Sequence, residues 1–170
     1  MPTVCAFLLA KNLMKLIFRA IGKPHEPFVK EGVDMFTKRA SNYFPAEWQI
    51  LPMPKNAGIL PENELKKKEG ELLLSTFQKD DYVVLLDERG KQTSSEGLAQ
   101  FLQARANDSV KNLVFVIGGA YGVSNEVAAR ANYKWSLSQL VFPHQLVRLI
   151  LTEQVYRACT ILRNEKYHHQ

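Results

Sequence analysis

The feature that most constrains the fold of this chain is an apolar run that ends in a cluster of glycines. Leu113–Ile117 is rich in β-branched and aromatic residues, and this pattern predicts a buried strand. The run stops at Gly118-Gly119, and Gly122 follows shortly after. Adjacent glycines at a strand end permit a sharp turn or a close approach of the backbone to another group, because no Cβ is in the way. The cluster therefore predicts either a tight turn or a ligand-binding loop.

A second strand and a long helix follow the glycine cluster. We predict a short strand around Trp135–Leu140, which leads into Phe142-Pro143-His144. From Gln145 onward, apolar residues recur at helical spacing and predict a closing helix. These apolar residues are Val147, Ile150, Leu151, Val155, Ala158, Ile161 and Leu162. Two loops that follow strands thus come together near the start of one helix, and such an arrangement can hold a small molecule.

The rest of the chain alternates between strand and helix patterns. The predicted strands are Lys15–Ile21, Trp48–Met53 and Tyr82–Leu86, and the predicted helices are Glu26–Phe44, Glu62–Phe77 and a short one from Ser124 to Arg130. Asp87–Lys91 is predicted to be a loop, and a capping box of Thr93 and Glu96 starts a further helix. The alternation favours an α/β fold with a mostly parallel sheet and flanking helices.

Composition narrows the class of protein. The length of 170 residues suits one domain, and 46% hydrophobic with 23% charged residues is ordinary for a globular protein. Cys5 and Cys159 fit no disulfide or metal-ligand spacing, and no apolar stretch reaches the roughly 18 residues of a membrane span. We expect a soluble, cytoplasmic protein without metal. Residues 1–13 lack the basic start of a signal peptide and are interpreted as an extension, with a buried first strand as the alternative.

Positive charge is concentrated in the last quarter of the chain. From Arg130 to Gln170 there are six Lys and Arg residues against Glu153 and Glu165, which gives +4 of the total net charge of +5. A basic end beside a ligand site suits a phosphate-rich partner such as RNA. A solvated helix with a loose tail explains the same charges, and the sequence leaves both interpretations open.

Several motifs, taken together, resemble one bacterial family. They are IGGAYG at 117–122, SLSQLVFPHQLVR at 136–148 and EQVYRA at 153–158, with MKLIFRAIGK at 14–23, LLDERGKQTSSEGLA at 85–99 and YHH at 167–169. In this order they are similar to the large-subunit ribosomal RNA methyltransferase H family of the SPOUT superfamily. The resemblance covers about Met14 to the C-terminus. It implies a SPOUT-type α/β knot, that is, a C-terminal trefoil knot, which topology rules alone would not predict.

The resemblance also implies a cofactor and the residues that hold it. The cofactor is S-adenosylmethionine (SAM), bound by loops at the ends of three strands. The matching positions are Leu86, Gly118, Leu137, Ser138, Gln139, Leu140, Val141 and Phe142. Apolar side chains there can enclose an adenine ring while backbone groups bind its edge.

The implied reaction is methylation of N3 of pseudouridine 1915 in 23S ribosomal RNA. The enzyme must align N3 with the methyl–sulfur bond and help N3 to lose its proton, and the candidate catalytic residues are His144, Arg157, Tyr167 and His168. Arginine stays protonated and would act as an electrostatic anchor, whereas a histidine can titrate near neutrality. His144 as a helix-start residue bonded to nearby backbone, and Tyr167 as a packed terminal aromatic, remain alternatives.

Other classes of protein remain in competition. A non-enzymatic RNA-binding module would keep the basic end without a cofactor pocket. A nucleotide-dependent enzyme of another kind is disfavoured, because no Walker-type lysine follows the glycines. We also expect a homodimer, since the apolar side of the closing helix is wider than one sheet face needs. The expected partners are therefore 23S rRNA or the ribosome and a second copy of the chain, with no membrane.

Overall fold

A computed structural model describes residues 14–169 and shows alternating strands and helices. The strands are β1 (Lys15–Ile21), β2 (Ala46–Leu51), β3 (Tyr82–Lys91), β4 (Asn112–Ile117) and β5 (Tyr133–Trp135). The helices are α1 (Pro27–Ala40), α2 (Glu62–Thr76), α3 (Ser95–Asn107), α4 (Asn125–Arg130) and α5 (His144–Leu162). The predicted fold class, an α/β fold with a parallel sheet and flanking helices, is confirmed.

All five strands form one parallel sheet in the order β2-β1-β4-β3-β5. The central strands β1 and β4 are buried almost throughout, which explains the apolar run of β4 and the mostly apolar sequence of β1, where Arg19 is a buried exception. Phe18 on β1 stacks between Trp48 on β2 and Phe115 on β4, with ring centroids 5.2 and 5.6 Å apart. Because the strands are parallel, their carboxyl ends all lie at the same edge of the sheet.

Helices cover both faces of the sheet. One face packs against α3 and α5 in a large apolar cluster, with α1 beside it against α5 and β2, and the other face packs against α2 and α4 in a smaller cluster. The long helix α5 lies between α1 and α3 and contacts both. These two neighbours account for the wide apolar side of α5, so that width alone does not require a second subunit.

The structure corrects the predicted boundary between β3 and the loop after it. Asp87–Lys91, predicted to be a loop, belongs to β3. Trp135 of β5 pairs with both Leu86 and Lys91, so the residues between them bulge out of the ladder and the strand then rejoins it. The strand predicted around Trp135–Leu140 is also wrong beyond Trp135, because β5 covers only Tyr133–Trp135.

A local polar contact also corrects the predicted start of α3. The capping residue is Ser94 rather than Thr93, and its Oγ accepts a hydrogen bond from Gly97 N at 3.0 Å. Ser124 does cap α4 as predicted, and its side chain accepts from Val127 N.

Two further expectations are not settled by this architecture. The extension 1–13 lies outside the described residues, and the trefoil knot stays a prediction. None of the helices in residues 14–169 has the length and apolar character needed to cross a membrane.

Candidate active site

A cavity of about 500 Å³ lies at the carboxyl ends of β3, β4 and β5. Its wall is built from residues 85–89, 117–123 and parts of 135–142, together with His144 and Val147 at the start of α5. This volume falls within the roughly 300–1,000 Å³ of small-molecule sites. The fold thus brings together three loops that are separated along the chain.

The glycine loop after β4 forms one side of the cavity. It turns back on itself through a hydrogen bond from Gly122 N to Gly119 O at 3.1 Å, and Gly122 has a φ of +85° that favours glycine. A Cβ on Gly118 would lie 2.6 Å from Cγ1 of Val123 and 3.2 Å from the backbone of Gly122. Gly118 therefore allows the two arms of the loop to approach closely.

The segment after β5 forms the opposite side and is shaped by its serines. Ser136 Oγ donates to the carbonyl of Ser138 at 2.9 Å, and Leu140 N donates to Ser138 Oγ at 3.0 Å. Leu140 and Val141 are apolar but 70% and 81% exposed at the rim of the cavity. A ligand in the cavity would remove part of this apolar surface from water.

Most of the predicted cofactor-binding residues line this one cavity. Leu86, Gly118, Leu137, Ser138, Leu140, Val141 and Phe142 all belong to its wall. Gln139 is exposed and lies outside the wall. Sequence reasoning placed Asp87 at this edge of the sheet but did not select Glu88 and Arg89, which line the cavity with it through the bulge of β3. Their position directly after an apolar strand was the signal available.

The bulge places charged groups in the cavity wall. Asp87 accepts hydrogen bonds from Arg89 N at 2.9 Å and from the Arg89 guanidinium at 3.2 Å. Burial opposes ionisation of Asp87, but these hydrogen bonds outweigh it and hold the pKa of its carboxyl below the usual value. Asp87 is therefore ionised at neutral pH. With Glu88 it gives the wall two carboxylates against one guanidinium.

His144 is the predicted catalytic residue that does line the cavity. Its Nε2 is hydrogen-bonded to the carbonyl oxygen of Gly118. A carbonyl only accepts, so Nε2 carries the proton. Burial is the main cause that lowers the pKa of His144, and the nearby Arg148 adds to the effect. His144 is therefore neutral near pH 7 and ties the start of α5 to the glycine loop.

The other three predicted catalytic residues form a separate cluster, which we call the tail cluster: Arg157, Tyr167, His168 and their partners Glu153 and Glu96. Arg157 Nη2 and Tyr167 Oη both donate to Glu153 Oε1, at 2.6 and 3.1 Å. His168 Nε2 donates to Glu96 at 2.7 Å, and its Nδ1 accepts from Arg157 at 3.4 Å. None of the three lines the cavity. Arg157 follows His144 by 13 residues on α5, which is about 20 Å along a helix.

No group of three or more His, Cys, Asp or Glu side chains between residues 14 and 169 is arranged to hold a metal ion. The polar side chains of the cavity wall include Ser138, His144 and the Asp87–Arg89 set. Such a set suits an organic ligand that carries both apolar and positively charged parts.

The chain is similar in sequence to a family of known proteins. The family described as "Predicted SPOUT methyltransferase" matches residues 14–168. The chain is 50% identical over 150 residues to "Ribosomal RNA large subunit methyltransferase H" of Christiangramia forsetii, covering 88% of this chain and 96% of that protein. The protein of the same name in Cytophaga hutchinsonii is 46% identical over 156 residues, covering 92% of this chain and 100% of the relative.

A solved structure is similar in fold. The crystal structure of a probable methyltransferase from Bordetella pertussis Tohama I superposes with a TM-score of 0.51 at 12% identity, covering 92% of this chain and 99% of the other. At this identity the likeness concerns the fold alone.

Proposed function

The chain belongs to the SPOUT methyltransferase family and, within it, to the ribosomal RNA large subunit methyltransferase H group, and from this premise we propose that it transfers a methyl group from SAM to N3 of pseudouridine 1915 in 23S ribosomal RNA. The reaction would take place in the cytoplasm, where ribosomal subunits are assembled. The single observation that carries the proposal is the cavity at the carboxyl edge of the sheet. Its three loops are those that the family resemblance assigns to the cofactor.

The residues present fit SAM. Leu86, Leu137 and Phe142 offer apolar surface for the adenine ring, and backbone groups of the two loops can bind its edge. The carboxylates of Asp87 and Glu88 favour a cation, and SAM carries a sulfonium and an ammonium group. When bound, SAM supplies an electrophilic methyl group. The chain's task is then to hold the acceptor base in line with that methyl group and to exclude water.

The acceptor nitrogen must also lose a proton. His144 is near the right place, but its Nε2 proton is committed to Gly118 O. It therefore acts first as an anchor that fixes the glycine loop against α5. Tyr167 and His168 can donate and accept protons, but within one chain they bond to Glu153 and Glu96 away from the cavity. A single chain thus separates the cavity from the tail cluster.

We propose that a homodimer resolves this separation. In a two-fold pair, the tail cluster of one subunit can face the cavity of the other. The exposed apolar rim of the cavity supports the pairing, since Tyr121, Leu140 and Val141 are 53%, 70% and 81% exposed. Arg157 would then stabilise the negative charge that develops on the base, and Tyr167 or His168 would orient or deprotonate it.

Methylation assays test the reaction. We expect labelled SAM to transfer its methyl group to large ribosomal subunits, or to free 23S rRNA, taken from a strain without this modification. Mass spectrometry should locate the label on N3 of the pseudouridine. Calorimetry with SAM separates the enzyme from a non-enzymatic RNA-binding module, which would bind RNA but not SAM.

A pair of glycine variants tests the cavity assignment. Gly118→Ala places a Cβ 2.6 Å from Val123, so the glycine loop must shift and SAM affinity should fall about tenfold or more. Gly58→Ala is the matched control, because a Cβ there meets nothing within 4 Å. Equal SAM affinity in both variants would place the cofactor elsewhere.

Mixed dimers test the shared site. At a SAM concentration that half-saturates the wild-type protein, a homodimer that lacks residues 167–170 should be inactive and a Gly118→Ala homodimer should have low activity. When the two are co-expressed, mixed dimers should regain activity, because one of their two sites has an intact cavity and an intact tail. A monomer mass in light scattering at micromolar concentration, or no activity in the mixed dimers, would contradict the homodimer proposal.

A further inference from the structure

The carboxyl edge of the sheet extends beyond the cavity to the side of β1 and β2. Residues 22–26 follow β1 and lead into α1, while residues 52–61 follow β2. Gly22 N donates to Leu51 O at 3.0 Å, so the two loops start side by side. β1 also pairs with β4, which ends at the glycine loop. We call the two loops the flanking loops. The first therefore lies next to the glycine loop of the cavity wall, and the second lies beyond it on the same edge.

A buried positive charge lies beneath the first flanking loop. The side chain of Arg148 on α5 is 1% exposed. Its Nη1 donates to the carbonyl of Lys23 at 2.9 Å and lies 3.3 Å from Nδ1 of His25. Nε of Arg148 has no hydrogen-bond partner, and no carboxylate in the described part of the chain forms an ion pair with this guanidinium. A buried charge is unfavourable unless something compensates it, so an anion above the loop would be stabilised.

Further contacts hold this loop in place. The side chain of Gln145 on α5 accepts from Glu26 N at 3.1 Å and donates to Pro24 O at 3.3 Å. Gln145 and Arg148 together fix the backbone on either side of His25 against the first turns of α5. The loop is therefore a built surface next to the cavity.

The exposed side chains of the flanking loops have the composition of an RNA-binding surface. Lys23 and Lys55 are exposed, one on each loop. Lys55 is the only charged residue in 52–61, and Glu26 is the only carboxylate in 22–26. Phe28, in the first turn of α1, is 61% exposed, and Ile59 is 83% exposed. Lysines that bind phosphates and an aromatic ring on which a base can stack are the usual combination for single-stranded RNA.

We propose that the flanking loops bind the RNA backbone on one side of the target nucleotide. Lys23 and Lys55 contact phosphates, and Phe28 stacks on a base. Arg148 is a positioning residue that fixes the Lys23 backbone and adds its uncompensated charge from below. The inference rests on the proposed function, since it takes the nucleotide in the cavity to be part of an RNA. The lysines favour RNA over a second copy of the chain as the molecule that covers Phe28 and Ile59.

Binding to large ribosomal subunits, measured across a range of salt concentrations with the full chain, tests the inference. The variants are Lys23→Gln and Lys55→Gln, and the control is Lys111→Gln. Lys111 is also exposed, but it precedes β4 at the opposite edge of the sheet. We expect each flanking-loop variant to weaken binding about three- to tenfold and to reduce the slope of log K against log salt by about 0.7–0.9, as the loss of one phosphate contact does. Lys111→Gln should change neither.

Arg148 needs a measurement that a purely structural role would not affect. Arg148→Lys keeps the charge, and Arg148→Met removes it. Both should lower the melting temperature, but only Arg148→Met should reduce the salt slope. Equal slopes in the two variants would show that Arg148 is only structural. Phe28→Ala should weaken binding without changing the slope, because stacking releases no counterions.

The outcomes separate the two proposals. If Lys23→Gln and Lys55→Gln bind as tightly as Lys111→Gln while the wild-type chain methylates the RNA, the flanking-loop assignment is wrong and the proposed function stands. If the wild-type chain binds the subunits through these lysines but transfers no methyl group, the proposed function is wrong. A Phe28→Ala variant that loses self-association but not RNA affinity would show that a second copy covers this ring.

Discussion

Substitution of Gly90 by alanine should destabilise the protein and weaken SAM binding together. Gly90 lies at the end of the β3 bulge, where β3 rejoins β5. A Cβ at this position would lie 2.7 Å from the carbonyl carbon of Lys134, 2.8 Å from its oxygen and 2.8 Å from the carbonyl carbon of Trp135. These are backbone atoms, so the clash cannot be relieved by rotation of a side chain. The backbone of β3 or of β5 must move.

The size of the effect follows from these distances. Ordinary contact begins near 3.4 Å, so β3 and β5 have to separate by about 0.7 Å at this point. Overpacking of this kind costs about 1–3 kcal/mol, and the lower entropy of an unfolded chain with alanine offsets about 0.4–1 kcal/mol, so the middles of the two ranges leave a net loss of about 1.3 kcal/mol. For a chain of this length the melting temperature should fall by about 3–5 °C.

The same shift should reach the cavity, because β5 leads directly into residues 136–142 of its wall. We therefore expect SAM affinity, measured by calorimetry, to fall several-fold in Gly90→Ala. Thermal unfolding of the same samples gives the stability, and Gly58→Ala serves as the neutral control. If Gly90→Ala melts and binds SAM as Gly58→Ala does, the packing of β3 against β5 and its link to the cavity are wrong.

Three further predictions concern the tail, the N-terminus and pH. Removal of residues 167–170 should abolish methyl transfer but leave SAM affinity nearly unchanged, because Tyr167 and His168 contact Glu153 and Glu96 and not the cavity wall. Calorimetry with SAM and a methylation assay on the same protein check this prediction. Equal losses of SAM affinity and of methyl transfer would contradict it. A chain that starts at Met14 should fold and methylate as the full chain does, since the family match begins at residue 14. A large loss of solubility or of SAM affinity in this shorter chain would show that residues 1–13 pack into the core. Burial lowers the pKa of both His144 and His25 in the folded protein, so the unfolded chain binds protons first and stability should fall as pH drops below about 6.5. Denaturant unfolding at several pH values should show a weaker dependence in His144→Gln, and an unchanged dependence would contradict the assigned burial.

The parts of the fold that depend on local apolar patterns could be predicted from the sequence. β1 was predicted with its observed bounds and β4 to within one residue, because both are mostly apolar and are buried on two faces. The start of the closing helix was also found to within one residue, at His144. The family assignment from the motifs is confirmed as well.

The errors lie where side chains bond to nearby backbone or where distant strands meet. Residues 135–138 alternate apolar residues with serine and so resemble a strand, but Ser136 and Ser138 bond locally and form a turn instead. Thr93 and Ser94 are both good capping residues, and the sequence offers no way to choose between them. Glu96, expected to complete the capping box, bonds to His168, which is 72 residues away. The bulge at 87–90 depends on pairing with β5 and leaves no local pattern.

The candidate site also has one part that the sequence predicts and another part that it does not. The three cavity loops could be predicted because each follows a strand of a parallel sheet. The separation of Tyr167 and His168 from the cavity could not be predicted from the sequence, since it depends on where the chain folds back along α5. Arg148 was counted only as one charge among six, because burial without a carboxylate partner is a three-dimensional property.

The most direct test of the account is a crystal structure of the protein grown with SAM. We predict density for the cofactor in the cavity between the glycine loop and residues 137–142, with its adenine against the apolar wall and its charged end towards Asp87 and Glu88. An empty cavity at saturating SAM, or cofactor bound at another surface, would contradict the central claim that this edge of the sheet holds the methyl donor.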